Sequence, residues 1–229
     1  MPLQQKMLGG SFAASPTSRE STQLFGHPAL YRSFLKRPLD ILCVLLLLPI
    51  AGPLLLILVV LAACDGSNPF YCQPRVGKGG RMFNMWKLRT MVPNARSLLE
   101  GHLSTNPAAR LEWDRNQKLK NDPRITPLGH VLRKSSLDEL PQLWNVLKGE
   151  MSLVGPRPML PEQQPLYPGK AYFNLRPGIT GSWQVSKRNE CTFSGRADFD
   201  TAYDEQLSFG TDLTVLIATF GVVLRGTGC

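Results

Sequence analysis

An uncharged, strongly apolar segment from Ile41 to Cys64 constrains the possible folds of this chain more than any other feature. As a straight helix it would reach ~36 Å at about 1.5 Å per residue, enough to cross a bilayer core of ~30 Å. Pro49 and Gly52-Pro53 fall in its middle, however. Because a proline lacks a backbone N–H and clashes with the preceding turn, the helix is predicted to break at Gly52 and Pro53.

The charges that flank this segment bear on its topology. Both flanks are basic, and positive charge marks the cytoplasmic side of a membrane. If both ends are cytoplasmic, the segment enters the membrane and returns, as a re-entrant helix–break–helix over residues 29–66. The residues favour this hairpin over a single spanning helix but leave both open. The basic side chains are Arg32, Lys36 and Arg37 before the segment and Arg75, Lys78, Arg81, Lys87 and Arg89 after it.

The rest of the chain is predicted to be α+β and mostly helical. Residues 1–28 are rich in polar and small residues without an apolar run, which predicts a disordered cytoplasmic tail. Residues 67–229 are predicted to form a cytoplasmic domain at the membrane interface, with a short β-hairpin from Phe70–Val76 and Met82–Thr90. A short strand is predicted at Met151–Val154 and a turn at Arg176–Gly181. The predicted helices, some amphipathic and interfacial, are Ala95–Leu103, Pro107–Lys118, Glu139–Leu147, Phe199–Gln206 and Thr211–Leu224.

The net charge of +9 predicts anionic partners, which include nucleic acid, lipid head groups and phosphorylated substrates. Lys87 and Arg89 lie in a basic stretch that also contains the aromatic residue Trp86. Basic residues interleaved with aromatic ones are suited to binding phosphate or nucleic acid. The position of this stretch just after the membrane segment favours anionic lipid over nucleic acid. The sequence contains neither a glycine-rich nucleotide-binding motif nor a Cys/His cluster of zinc type.

Two adjacent carboxylates, Asp138 and Glu139, are the first candidate for chemistry. Because Pro141 fits best in the first turn of a helix, Asp138 is predicted at or near the N-cap, where the helix dipole favours its anionic form. An ionised carboxylate can be a covalent nucleophile or a Mg²⁺ ligand. The spacing of Ser136 and Glu139 also matches a capping box. By themselves the residues favour the helix cap over the catalytic centre.

The stiff sequence Gly155-Pro156-Arg157-Pro158 is the second candidate. Pro156 and Pro158 restrict the backbone on both sides of Arg157, and the guanidinium fork suits bidentate binding of phosphate. A rigid turn with a solvated arginine is an equally good interpretation.

These motifs belong to a longer series of ordered blocks. They include Lys36-Arg37, Arg75-Val76-Gly77, Lys87-Leu88-Arg89-Thr90-Met91, Asp122-Pro123-Arg124-Ile125-Thr126, Leu132-Arg133-Lys134, Ser136–Leu143, Asn145–Ser152, Val154–Pro158 and Arg176–Gly181. From about Lys36 onward the chain resembles the bacterial sugar transferase family, the monotopic phosphoglycosyl transferases. It looks most like the members that start exopolysaccharide synthesis by transferring galactose phosphate.

The resemblance implies roles for the two candidate motifs. The apolar segment would be re-entrant, and residues 67–229 would form the catalytic domain. Asp138 would be the nucleophile and a Mg²⁺ ligand, and Glu139 would assist it. The predicted substrate-binding residues are Arg133, Pro156, Arg157, Pro158, Lys87, Arg89 and Arg188. Two positions depart from the family pattern: Gly52 replaces a usual serine, and Lys187 replaces a usual glycine.

The resemblance also implies a reaction at the cytoplasmic face of a bacterial inner membrane. A hexose 1-phosphate would pass from a UDP-sugar, UDP-galactose or UDP-glucose, to polyprenyl (undecaprenyl) phosphate through an aspartyl-phosphosugar, with release of UMP. Membrane lipid would be a further partner and nucleic acid would not; the hexose and the oligomeric state are left open. The rival hypothesis is a non-enzymatic single-span anchor that carries a basic binding module.

Overall fold

The computed structural model describes residues 28–116, 119–186 and 193–224. The predicted tail and Arg188 therefore lie outside the described residues, apart from Pro28 at the end of the tail.

The strands are β1 (Phe70–Val76), β2 (Met82–Leu88), β3 (Ser152–Val154) and β4 (Gly178–Thr180). The α-helices, after short helical turns over Pro28–Leu30 and Tyr31–Leu35, are α1 (Lys36–Ala63), α2 (Ala95–Thr105), α3 (Pro107–Asn116), α4 (Pro127–Ser135), α5 (Gln142–Lys148), α6 (Ala171–Asn174), α7 (Ser182–Ser186), α8 (Arg196–Glu205) and α9 (Phe209–Leu224). This content confirms the mostly helical prediction with a small sheet component.

Helix α1 contains the apolar segment, and with the preceding turn it is long and apolar enough to cross a membrane. Only 11% of its most apolar stretch is buried, and side chains such as Ile50 and Leu46 are 75% and 69% exposed. A core helix would bury them, so this surface suits lipid. Pro49 and Pro53 lie inside the helix. The predicted break at Gly52-Pro53 is therefore not an interruption of secondary structure, because the residues around both prolines remain helical.

The start of α1 is attached to the domain that follows it. Arg37 donates hydrogen bonds to the carbonyl oxygens of Val146 (2.5 Å) and Leu147 (2.9 Å) at the end of α5. The buried carboxylate of Asp40 accepts a 2.7 Å hydrogen bond from the Ser152 hydroxyl in β3. These charge-assisted bonds fix the first turns of α1 against the centre of the domain.

The end of α1 is attached to the same domain through Arg89. Its Nη2 donates to the carbonyl of Ala62 (2.7 Å) and to Asp65 (2.6 Å), and its Nη1 donates to Asp65 (2.8 Å) and to the carbonyl of Met91 (3.2 Å). Its Nε donates to the carbonyl of Asn68 (2.8 Å). All the guanidinium N–H groups are thus used to join α1 to β2, so both ends of the apolar helix contact one domain.

The predicted β-hairpin is confirmed. Strands β1 and β2 pair antiparallel, from Phe70 opposite Leu88 to Val76 opposite Met82. The turn between them places Gly79 and Gly80 at φ of 67° and 77°, where a side chain would strain the backbone. Strand β2 ends at Leu88, two residues before the predicted end.

Strands β3 and β4 pair in parallel, with Ser152 opposite Gly178 and Val154 opposite Thr180. The strand β3 was predicted, but the prediction of a turn throughout Arg176–Gly181 was wrong. A pairing between segments so far apart leaves no local pattern in the sequence, because it depends on tertiary packing. It brings the Arg157 loop beside α7.

Helix α4 was missed by the sequence analysis, although its end signals are present. Thr126 is the N-cap, accepting a 2.9 Å hydrogen bond from the N–H of Gly129, and Pro127 occupies the first turn. The helix ends at Ser136, whose left-handed φ of 58° turns the chain sharply. This turn directs the next residues, Asp138 and Glu139, into the domain.

The main core packs α1, β2, α5, β3 and α8 together, with Val44, Met85, Val146, Val154 and Tyr203 among its buried members. Helix α9, which was predicted over Thr211–Leu224, packs on one side only. Its Val215 is buried, whereas Ile217 and Phe220 are exposed. The exposed apolar side resembles that of α1.

Candidate active site

Asp138 and Glu139 lie in a single 3₁₀ turn, Leu137–Glu139, between α4 and α5. The predicted N-cap position of Asp138 is wrong, because α5 begins only at Gln142. The predicted capping box is absent as well, since the Ser136 side chain makes no capping hydrogen bond in this part of the described structure. Helix capping therefore does not explain the two carboxylates.

Lys87 of β2 is the cation at this acidic pair. Its Nζ lies 2.7 Å from Glu139 Oε1 and 3.4 Å from Asp138 Oδ2. The structure thus places one predicted substrate-binding residue between the side chains predicted to be catalytic. The positive charge of Arg133 acts on Asp138 as well and lowers the pKa of its carboxyl. The Nε of Arg133 donates a 2.9 Å hydrogen bond to the hydroxyl of Thr90.

Asp138 is 8% exposed, and burial raises the pKa of its carboxyl above the ordinary value. The charge of Lys87 opposes this effect and the charge of Glu139 adds to it. The sequence analysis predicted the opposite direction for this pKa, because it considered a helix dipole but not burial. Ionisation of Asp138 in the folded protein is therefore favoured when more positive charge reaches the site.

A small cavity of about 30 Å³ joins Glu139 of this acidic pair to the second motif. Lys87 and Glu139 line one part of it, and Arg157 and Pro158 line another. Arg157 is exposed, whereas Pro156 and Pro158 are buried. The two prolines thus anchor the loop while the guanidinium faces outward, as the sequence pattern predicted.

Pairing with β4 positions this loop. Gly155 donates a 2.9 Å backbone hydrogen bond to Thr180, and Gly178 donates a 2.8 Å bond to the carbonyl of Pro156. Close approach of the two backbones requires glycine here. A Cβ on Gly178 would lie 2.1 Å from the backbone nitrogen of Gly155.

Three polar residues of this cavity were not predicted as site residues: Arg75, Gln142 and Gln184. Arg75 donates a 3.1 Å hydrogen bond to the carbonyl of Pro158. Gln142 and Gln184 are 2% and 5% exposed. Arg75 was noted in the basic flank and in the ordered block Arg75-Val76-Gly77, and that block was the available signal for a place in the site.

Of the predicted substrate-binding residues that the structure describes, Arg89, Arg133 and Pro156 do not line this cavity. Arg89 uses its N–H groups to hold the end of α1, as described above, and its predicted contact with substrate stays a prediction. Arg188 lies outside the described residues, so its predicted role stays a prediction. The substitution at Lys187 lies there too.

The donor set at the acidic pair suits Mg²⁺ held jointly with a substrate. Mg²⁺ commonly takes one or two carboxylates together with water and substrate phosphates. Asp138 and Glu139 supply these carboxylates, and Lys87 already supplies positive charge there. The described residues contain no group of three or more acidic, His or Cys side chains arranged for a metal.

An apolar groove of about 400 Å³ opens next to the same turn. Helix α1 contributes Leu48, Gly52 and Leu55 to it, and Trp86 and Trp144 contribute from the domain. Leu140 and Pro141, which directly follow the acidic pair, also line it. Consecutive residues of the chain therefore line two different spaces: Glu139 lines the charged cavity, and Leu140 and Pro141 line the apolar groove against α1.

The fold and the site define a class of protein: a membrane-associated protein with an acidic pair of which Asp138 is buried, a basic cavity and an apolar groove at one turn. The bacterial sugar transferase family model matches residues 31–226, which is most of the chain. The chain belongs to the bacterial sugar transferase family.

Several curated proteins are similar to this chain. The UDP-galactose-lipid carrier transferase of Erwinia amylovora is 49% identical over 85% of the chain and 41% of its own length. The undecaprenyl-phosphate galactose phosphotransferase of Salmonella typhimurium is 46% identical over 85% and 41%. The exopolysaccharide production protein ExoY of Sinorhizobium fredii is 43% identical over 84% and 87%. The chain thus spans about two fifths of the first two relatives and most of the third.

Proposed function

We propose that this protein transfers a hexose 1-phosphate from a UDP-sugar to undecaprenyl or another polyprenyl phosphate, releasing UMP. The observation that carries the proposal is the turn of Asp138 and Glu139, where Glu139 lines a basic cavity and the next two residues, Leu140 and Pro141, line an apolar groove. The basic cavity suits a water-soluble diphosphate, and the groove suits the isoprenoid chain of an acceptor that remains in the membrane. The names of the relatives support galactose as the hexose.

The proposed reaction has two steps at one phosphorus atom. An oxygen of the ionised Asp138 carboxylate attacks the β-phosphorus of the UDP-sugar, and UMP leaves with the electrons of the broken bond to the bridging oxygen. A phosphate oxygen of the lipid then attacks the same phosphorus, which releases the Asp138 carboxylate and gives a polyprenyl-diphosphate sugar. Positioning and electrostatic stabilisation account for most catalysis of this kind.

The side chains around Asp138 have separate parts in this mechanism. Glu139 holds Lys87 at 2.7 Å, so that the ammonium stays beside Asp138. Arg157 presents its guanidinium to the diphosphate from the edge of the cavity. Mg²⁺, held by Asp138 and the diphosphate, would neutralise the charge of the diphosphate.

The decisive experiment supplies purified protein with Mg²⁺ and undecaprenyl phosphate and measures UMP release from a panel of UDP-sugars. We expect release from UDP-galactose or UDP-glucose and none from the Asp138→Asn variant. A non-enzymatic anchor would release UMP from no member of the panel, and replacing Asp138 would then have no effect on its role.

We also propose that α1 is re-entrant and that both flanks are cytoplasmic. Attachment of both ends of α1 to one domain supports this, because a straight spanning helix would draw that domain into the membrane. A C-terminal reporter fusion should report the cytoplasm. Pro53→Ala restores a backbone donor inside α1 and should shift part of the population toward a spanning form, whereas the control Gly52→Ala should not. A periplasmic reporter in the wild type would contradict the re-entrant topology.

Replacement of Arg157 tests whether its planar guanidinium group recognises phosphate through paired hydrogen bonds. Arg157→Lys keeps the charge but loses paired hydrogen bonding, so turnover should fall at least ~10-fold, or ~1.4 kcal/mol of transition-state stabilisation. Arg96→Lys is the matched control, since the Arg96 side chain is 93% exposed on α2. Normal turnover of Arg157→Lys would mean that only charge is needed at this position.

A further inference from the structure

Buried polar atoms without a hydrogen-bond partner are concentrated around Arg157. Five such side-chain atoms occur among the described residues, and four of them are Arg75 Nε, Trp183 Nε1, Gln184 Oε1 and Arg196 Nε. Arg75 and Gln184 line the cavity that contains Arg157 and Glu139. Trp183 and Arg196 line a second small cavity, of about 10 Å³, that also contains Arg157. Three of these atoms are N–H donors, and because a buried donor left unpaired is costly, their concentration points to a ligand that supplies acceptors.

Trp183 holds two of these arginines in place. The guanidinium carbon of Arg196 lies 4.2 Å from the centre of the Trp183 ring and 5.0 Å from that of Phe193. The guanidinium carbon of Arg157 lies 6.0 Å from the same Trp183 ring. Stacking of this kind fixes the plane of a guanidinium while its edge N–H groups stay available for acceptors.

Nearby carboxylates offset the charge of these arginines only in part: Glu139 acts on Arg75, and Asp200, which also lines the second cavity, acts on Arg196. Over residues 28–116, 119–186 and 193–224, no carboxylate lies within 4.0 Å of Arg75, Arg157 or Arg196. Burial lowers the pKa of Arg75 and Arg196, and the charge of Arg157 lowers both further. Partly buried like charges repel one another, and an anion would relieve both the repulsion and the lost solvation.

We infer that Arg196, held by Trp183, binds the phosphate that leaves as UMP, and that Arg75 and Arg157 line the path of the diphosphate toward Asp138. This inference rests on the proposed function, which makes the donor a nucleoside diphosphate sugar. The order in which these side chains line the two cavities supports the inference. The first cavity joins Glu139 to Arg157, and the second joins Arg157 to Arg196. Arg196 is thus one step farther from the nucleophile, where the next phosphate of the donor would lie.

The test measures binding directly, so that it does not depend on turnover. Titration calorimetry in excess Mg²⁺ would use UMP and inorganic pyrophosphate as probes of the full protein. Arg196→Gln should weaken binding of both probes at least ~10-fold, because it removes charge-assisted hydrogen bonds. Arg196→Lys should recover part of this loss. The control Arg110→Gln removes an exposed arginine of α3 and should leave binding unchanged.

The outcomes separate the inference from the proposed function. Unchanged binding of UMP by Arg196→Gln overturns the inference even if wild-type protein turns over UDP-galactose. Weaker binding of UMP with unchanged binding of pyrophosphate also overturns it, because Arg196 would then recognise the nucleoside. A raised KM for the UDP-sugar with an unchanged KM for undecaprenyl phosphate supports the inference and separates it from general unfolding.

Discussion

Asp138→Asn is expected to lower turnover by at least ~10³-fold and to abolish the covalent intermediate while the protein stays folded. The amide is nearly isosteric with the carboxylate but cannot attack phosphorus. Folding should persist, because burial already raises the pKa of Asp138 and a neutral side chain suits the site. Lys87 also keeps its closer partner, Glu139, at 2.7 Å.

Trapping of the intermediate measures this directly. Protein is incubated with radiolabelled UDP-galactose and Mg²⁺ but no lipid acceptor, quenched, and examined for bound label. Wild type should carry label and release UMP, and Asp138→Asn should do neither. Glu139→Gln should be severely impaired but still acquire label slowly, since its part is assistance. Full labelling of Asp138→Asn, or UMP release that requires the lipid, would favour direct attack by the lipid phosphate.

Gly178→Ala is expected to destabilise the fold by ~3 kcal/mol or more. The added Cβ would lie 2.1 Å from the nitrogen of Gly155 and 2.3 Å from the carbonyl oxygen of Thr180. Both are backbone atoms of the β3–β4 region, so they can move only if the pairing that holds the Arg157 loop is lost. Activity should fall with stability, because the loop lines the site.

The thermal midpoint in detergent checks this expectation. Gly101→Ala is the matched control, because Gly101 lies inside α2 and a Cβ there would meet no atom within 4 Å. Alanine is the better helix former, so this control should be neutral or stabilising by up to ~1 kcal/mol. A thermal midpoint of Gly178→Ala equal to that of wild type would show that the two backbones can separate without loss of the fold.

Features that depend on neighbouring residues could be predicted from the sequence. The apolarity of α1, the β1–β2 hairpin around its glycines, and the adjacency of Asp138 to Glu139 are all local properties of the chain. The stiffness of the Arg157 loop follows equally from its two prolines. Each requires at most a few consecutive residues, which is why pattern and propensity were sufficient.

The tertiary structure alone decided what surrounds those residues. It placed Lys87 of β2 at the acidic pair and Arg89 in hydrogen-bond contact with the end of α1. It also buried Asp138, which raises the pKa of that carboxyl. It also created the parallel β3–β4 pairing that carries Arg157 toward Arg75. These arrangements join segments distant along the chain. Charge, solvation and packing between such segments depend on distances in space, and the order of residues does not specify those distances until the core has formed.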